Sequence, residues 1–405
     1  MPNSSDSSAQ SRRAFLRNAA IAAAGLTAAP LLAQSVKLPF ANGDRELVRY
    51  PQKRPLIRLT TRPPQLETPF SVFNEGAITP NDAFFVRYHL AGVPTSINSD
   101  TYRVEIKGSV NSPLSLSLHD LRKFEAKEVV AVLQCSGNSR GFVTPRVGGG
   151  QLGNGAMGNA HWKGVPLKAI LAKAGIKAGA KQVTFDGLDK PVVEKTPDFV
   201  KALDVDQAND GEVMLAYEMN GQELPVLNGF PLRLIVPGYF GTYWVKHVND
   251  ITVIDEVLNN FWMNPAYRIP DNDCACVEPG TTPKTTVPIK RYNVRSFITS
   301  LQDGAEVKAG RAIELKGIAF DGGSGIREVV VSSNNGKWTP TKLGKDLGKY
   351  SFREWHARWT PSKPGDYILK VCATNNANQM QPETASWNPS GYMRSVIETV
   401  KIKAV

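Results

Sequence analysis

A chain of 405 residues is too long for one compact core, so two folded units are expected. With 41% hydrophobic and 21% charged residues, the composition carries no sign of disorder. The formal charge of +11 suits an anionic substrate or surface, but no long Lys/Arg run or basic-aromatic stripe is present, which sets nucleic acid aside.

The N-terminus combines Arg12-Arg13, Phe15-Leu16 and an Ala/Leu-rich segment from Ala19 to Ala33. That segment falls short of the ~20 residues a membrane-spanning helix needs. The pattern predicts a cleaved twin-arginine export signal over 1–33, a periplasmic destination and no membrane anchor after processing. Cleavage removes Asp6, Arg12, Arg13 and Arg17, so +11 becomes +9 and the mature protein stays basic. Twin-arginine export carries proteins already folded in the cytoplasm, which favours a complex cofactor.

A Pro/Arg-rich stretch over 50–69 reads as extended. Strand-like runs follow at Phe84 to Tyr88, Tyr102 to Ile106, Val129 to Leu133 and Leu232 to Val236, and Leu167 to Ala174 reads as a helix closed by Gly175. Strands and helices alternate irregularly, so residues 34–285 are expected to form an α+β domain. The Pro/Thr-rich EPGTTPKTTVPIKR (278–291) reads as a linker. Beyond it, over 286–405, alternating runs punctuated by Asp303-Gly304, Asp321-Gly322, Asn335-Gly336 and Pro364-Gly365 predict an immunoglobulin-like β-sandwich.

GNGAMG (153–158) satisfies G-x-G-x-x-G, yet no hydrophobic strand feeds it and Ala178 stands where an acidic ribose ligand would be needed. A dinucleotide site is therefore not expected; these glycines suit close approach to another bulky ligand. No G-x-S-x-G elbow occurs, and none of the five histidines pairs at metal-ligand spacing. Four cysteines are too few for a disulfide scaffold, and no Cys-x-x-Cys-His is present to attach haem. Cys274 and Cys276 could be two thiols or a labile redox pair. Cys135 ends an apolar run, with Arg140 five residues on. It reads either as a small buried hydrophobe or as a thiolate, nucleophile or soft metal ligand.

FVRYHL (85–90), LQCSGNSR (133–140), LAYEMNGQELPVLNGFPLRLIVPG (215–238) and GTYWVKHV (241–248) together resemble the sulfite oxidase family of mononuclear molybdenum enzymes, in the same order. The resemblance spans roughly 70–400. It implies a sulfite-oxidase-type molybdopterin domain followed by a dimerisation domain, and Cys135 as the protein's thiolate ligand to molybdenum. It assigns Arg87 and Arg140 to the oxyanion, Tyr267 to the active site and His89 to the cofactor's edge. Arg233 and Lys246 would grip the pterin phosphate, with Phe85, Tyr88, Asn228 and Thr242 completing the cofactor cradle. Three positions depart from the pattern: Ala266 precedes the tyrosine, Leu152 falls near a pocket tryptophan, and Ser390 replaces a third arginine, for which Arg394 is a possible substitute.

The implied activity is a periplasmic sulfite dehydrogenase: sulfite oxidised to sulfate, electrons leaving to an external c-type cytochrome, the protein a homodimer. The alternatives are a related molybdenum reductase acting on sulfoxides or nitrate, and a metal-free secreted binding protein.

Overall fold

The computed structural model describes residues 34–405, so the export signal expected over 1–33 lies outside the described residues. An N-terminal arm folds into β1 (Ser35–Lys37), β2 (Asp44–Val48), β3 (Leu56–Thr60), β4 (Gln65–Glu67) and β5 (Val86–Arg87), hydrogen-bonded in that order as one sheet. The extended reading of 50–69 thus resolves into two of its strands.

Next come β6 (Arg103–Gly108) and β7 (Leu114–Ser117), then the long hairpin of β8 (Lys127–Gln134) and β9 (Met157–Pro166). Helix α1 (Leu167–Ala174) buries Leu167, Ile170, Leu171 and Ala174, the i, i+3, i+4, i+7 stripe of an amphipathic helix. It ends at Gly175, whose φ of 70° suits a residue without a Cβ. β10 (Gln182–Gly187) and β11 (Lys201–Asp204) follow, then β12 (Met214–Met219), β13 (Gln222–Glu223), β14 (Arg233–Ile235) and β15 (Val248–Ile254). The strands sort into two sheets. One has the order β11-β10-β15-β6-β7, with β15 parallel to β6; the other runs β13-β12-β9-β8, with β14 on β12. The expected α+β architecture is observed.

The stretch read as a linker is exposed loop and turn over 278–285 and becomes regular only at its end. β16 (Arg268–Pro270) pairs with β17 (Thr286–Pro288), and Ile289 is fully buried, its N–H donating to the Tyr267 carbonyl at 2.9 Å. Proline and threonine are compatible with an edge hairpin as well as with a free linker, and packing decides here. The expected boundary at 285 falls against this hairpin.

The C-terminal strands are β18 (Arg295–Ile298), β19 (Ala305–Val307), β20 (Ile313–Phe320), β21 (Ile326–Ser333), β22 (Thr339–Pro340), β23 (Lys342–Leu343), β24 (Arg353–Trp359), β25 (Gly365–Asn375) and β26 (Glu398–Ala404). They form sheets ordered β18-β20-β24-β23 and β19-β26-β25-β21-β22. A core including Leu315, Trp355, Leu369 and Val371 lies between them. A further buried cluster crosses the boundary, joining Phe73, Val132, Met157 and Phe240 to Tyr292, Phe297, Phe320 and Phe352. Polar contacts reinforce it: the Tyr292 hydroxyl donates to the Val132 carbonyl at 2.8 Å, and Arg295 donates to Ser139 Oγ at 2.8 Å. Among the described residues no helix is long and apolar enough to cross a membrane.

Candidate active site

Alternation along a strand sends successive side chains to opposite faces. From β5 onward, Phe85, Arg87 and His89 point into a cleft of about 490 Å³. Tyr88 does not line it. This residue is fully buried on the other side, its hydroxyl 2.6 Å from His247 Nε2 and its ring 4.1 Å from the Lys246 ammonium. Tyr88 therefore supports the cleft from below through Lys246, a correction to its expected place in the cradle.

Cys135 enters the same cleft where β8 ends. The turn after it is tightly braced: Cys135 N–H donates to Ala156 O (2.9 Å), Asn138 N–H returns to Cys135 O (3.0 Å), and Asn138 Oδ1 accepts from Ala156 N–H (3.0 Å). The thiol is free and only 9% exposed. Asn228, Arg233, Thr242, Lys246 and Tyr267 complete the wall. Nine of the ten expected residues other than Arg140 thus meet in one cleft.

Its electrostatics are those of an anion site. Arg233 and Lys246 face each other across an isolated β-bridge. Burial drives Lys246 down to about 7, against the opposing pull of Asp189, and holds Arg233 down at about 10. Both donate to carbonyls, Arg233 to Asn228 O at 2.7 Å and Lys246 to Arg87 O at 2.8 Å. No carboxylate lines the cleft among the described residues. Arg233 Nε, Thr242 Oγ1 and Ser136 Oγ are buried without a hydrogen-bond partner. Buried donors left unpaired are costly, and an acceptor-rich, negatively charged guest satisfies them. Together with a free thiol, this donor set fits a phosphate-bearing pterin holding a thiophilic metal. Among the described residues no group of three or more His, Cys, Asp or Glu side chains converges, so Cys135 is the protein's offer to a metal in this cleft.

His89 stacks on Phe199 at 3.8 Å, and its Nε2 shares a hydrogen bond with the Tyr267 hydroxyl. Burial holds its pKa well below the ordinary value, with Arg87, Lys246 and Lys201 adding to the effect, so the imidazole is neutral near pH 7. Burial raises the Tyr267 phenol, which stays protonated.

Arg140 sits in an adjoining outer cavity of about 780 Å³ that shares Arg87, Cys135 and Tyr267 with the cleft. Its Nε donates to Ser390 O at 2.9 Å and its guanidinium lies 4.9 Å from the Tyr392 ring centroid. A Cβ at Gly137 or Gly149 would approach Arg140 Nη1 to 2.9 Å and push the guanidinium aside, and the φ of 93° at Gly149 favours glycine in its own right. Ser390 thus contributes a backbone carbonyl to this wall. Arg394 does not supply the third arginine: it pairs with Glu398 at 2.8 Å, alongside Arg295 at 2.6 Å, and does not line either cavity. Leu152 lines the outer cavity, and Ala266 packs beside Tyr267.

The G-x-G-x-x-G glycines approach protein rather than a ligand. Gly153 and Gly155 donate to the buried Glu67 carboxylate at 3.1 and 3.3 Å, and a Cβ at Gly158 would strike the Phe84 ring. Cys274 and Cys276 form a disulfide.

Sequence reasoning missed Tyr392 and Lys201. Tyr392 stacks on Tyr267 (5.5 Å, 8°) from a stretch read only for its arginine. Lys201 Nζ lies 4.9 and 5.0 Å from the Tyr243 and Tyr267 rings and donates to Trp262 O at 2.6 Å. Burial lowers this lysine from 10.5 to about 7. Between those values the unfolded chain binds more protons, so Lys201 makes stability rise with pH, by up to ~1.4 kcal/mol per unit. Lys201→Met removes that slope. Calorimetry should show a midpoint difference, variant minus wild type, that falls as pH rises from about 7 to about 10; a difference that grows contradicts this account.

Comparison with known proteins agrees with the geometry. Residues 89–262 match the model of an oxidoreductase molybdopterin binding domain, and 286–405 that of a Mo-co oxidoreductase dimerisation domain. Mitochondrial sulfite oxidase from Rattus norvegicus is 33% identical over 374 residues, covering 88% of this chain and 67% of the relative. Sulfite oxidase from Arabidopsis thaliana is 30% identical over 385 residues, covering 88% and 96%. Among solved structures, the sulfane dehydrogenase SoxCD from Paracoccus pantotrophus superposes with a TM-score of 0.70 at 23% identity, covering 92% of this chain and 91% of that one, a likeness of fold. With its thiol, its paired cations and these relatives in agreement, the chain belongs to the sulfite oxidase family, as a molybdopterin-binding oxidoreductase.

Proposed function

We propose that the protein is a periplasmic sulfite dehydrogenase, oxidising sulfite to sulfate and passing electrons to an external c-type cytochrome. The observation that carries this is the meeting of Cys135, Arg87, Arg140 and Tyr267 where the inner cleft opens into the outer cavity. Cys135 would hold the molybdenum, and Arg233, Lys246, Thr242 and Asn228 the pterin's polar end. When bound, that cofactor supplies the two-electron oxidation and the oxygen atom transferred.

The chain's own residues bind and orient. Arg87 and Arg140 present guanidinium groups, whose planar forks match a small oxyanion and offer charge-assisted hydrogen bonds. With the neutral His89 donating its Nε2–H to the Tyr267 oxygen, the protonated Tyr267 hydroxyl keeps its own hydrogen for an anion without carrying charge. A two-arginine pocket favours an anion over a neutral sulfoxide. The C-terminal sheets support an immunoglobulin-like sandwich that pairs two copies into a homodimer, in line with the dimerisation model that matches them.

The test is sulfite-dependent reduction of cytochrome c by the molybdenum-loaded enzyme, with a reduced-dye assay on nitrate and sulfoxides beside it. Arg140→Met should raise the sulfite KM by roughly 30-fold, the loss of one charge-assisted interaction of ~2 kcal/mol, with molybdenum content unchanged. Turnover of nitrate or a sulfoxide without turnover of sulfite would move the protein to the reductive reading. A metal-free, colourless protein would leave only the binding module.

A further inference from the structure

The outer cavity carries a third guanidinium that neither the cofactor nor the pairing of Arg87 with Arg140 accounts for. Arg45, on β2, lines it together with Arg87, Arg140, Cys135 and Tyr267. This residue lies upstream of the matched catalytic region, which begins at 89. Alternation along β2 turns Asp44 and Glu46 to the other face, where Glu46 pairs with Arg58 at 2.5 Å. Arg45 Nη1 is tethered to the carbonyls of Asn42 and, at 3.0 Å, Asp44. Its Nε is buried with no hydrogen-bond partner, and no carboxylate comes within 4.0 Å of its guanidinium among the described residues. The buried Glu67 feels its field, but that carboxylate is already engaged by the amides of Gly153 and Gly155.

The arm is fastened to the wall it completes. Phe40 packs on Gly141, where a Cβ would lie 2.4 Å from the ring, and meets Phe142 edge-on at 5.4 Å. Leu38 lies 3.5 Å from the Cβ position of Gly153. The arm therefore clasps the loop that carries Arg140. Its sheet ends at β5, where Gln65 pairs with Arg87, so all three arginines are held in one connected frame. The lining of this cavity contains three guanidinium groups and, among the described residues, no acid. Such a lining favours a small anion. On the opposite wall Arg140 Nε is held by the Ser390 carbonyl at 2.9 Å, so that side of the cavity adds no charge of its own.

We propose that Arg45 is a substrate-binding residue, the third cation of the oxyanion site, supplied by the N-terminal arm to capture sulfite and hold sulfate. This rests on the sulfite reading above. The test compares Arg45→Met and Arg45→Lys with the wild-type holoenzyme in two assays: steady-state sulfite oxidation, and calorimetric titration with sulfate, which needs no turnover. In Arg45→Met the sulfite KM and the sulfate dissociation constant should each rise roughly tenfold at low ionic strength, the lower end of what a charge-assisted hydrogen bond contributes and less than for Arg140→Met, with kcat and molybdenum content held. Arg45→Lys should recover most of the sulfate affinity, which a merely structural role would not predict, and it keeps the test sharp if the Met variant loosens the arm. Unchanged KM and unchanged sulfate affinity in both variants would overturn the proposal, as would a fall in kcat at constant KM. A wild-type enzyme inert toward sulfite would sink the functional reading instead, while the sulfate titration still decides the role of Arg45.

Discussion

Cys135→Ser is expected to abolish turnover while leaving the fold in place. Serine is nearly isosteric, and the turn around position 135 is braced through backbone groups and Asn138, none of which the change touches. Its hydroxyl, with a far higher pKa and hard oxygen, is a poor replacement for a thiolate at a soft metal site. The loss should be on the order of 10³-fold in kcat, equivalent to about 4 kcal/mol of barrier. Visible absorption from thiolate-to-metal charge transfer should vanish with it, while circular dichroism matches wild type. A Ser variant with wild-type turnover and spectrum would remove Cys135 from the chemistry and return it to the role of a buried small residue.

The second large effect runs in opposite directions for cofactor and fold. Arg233 is buried, carries no ion pair among the described residues and leaves Nε unpaired. A buried charge without a charged partner costs stability, and an apolar replacement of similar length relieves that cost. Arg233→Met should therefore purify with little or no pterin, yet in cofactor-free form melt above the cofactor-free wild type. Lys246→Met should also lose cofactor with a smaller gain in stability, because the buried Asp189 then loses the nearby cation that favours its charged form. Molybdenum and pterin analysis beside a melting curve reads both quantities. A variant that keeps stoichiometric cofactor shows that the phosphate is gripped elsewhere; one that loses cofactor and also melts lower shows that Arg233 is structural.

Why so much of this site was legible follows from how its residues arrive. Phe85, Arg87 and His89 share a face through the two-residue period of an extended chain, and Cys135 and Arg140 come from one short turn. Local sequence carries that information directly. Tyr88, caught in the same run, was misplaced because period two also says which residue must face away. Tyr392, Ser390, Lys201 and Arg45 were not legible as site residues. Each depends on a distant segment being laid against the cavity, by the C-terminal unit, by β11 or by the N-terminal arm. The glycine motif misled in the other direction: its spacing answers to Glu67, Thr68 and Phe84, long-range neighbours that no local pattern reveals. The linker reading missed the end of its stretch for the same reason, since Pro/Thr composition cannot report that Ile289 is buried and bonded to the Tyr267 carbonyl.

The buried cluster that spans Phe73, Val132 and Met157 on one side and Phe297, Phe320 and Phe352 on the other joins the two matched regions through a common core. Cutting the chain near 286 would strip the β17 partner from β16, uncover aromatic side chains on both fragments and remove Tyr392 from the wall of the outer cavity. Neither piece is an exchangeable module. A core substitution on the sandwich side is therefore felt at β8, the strand that leads into Cys135, and one on β8 is felt in the sandwich.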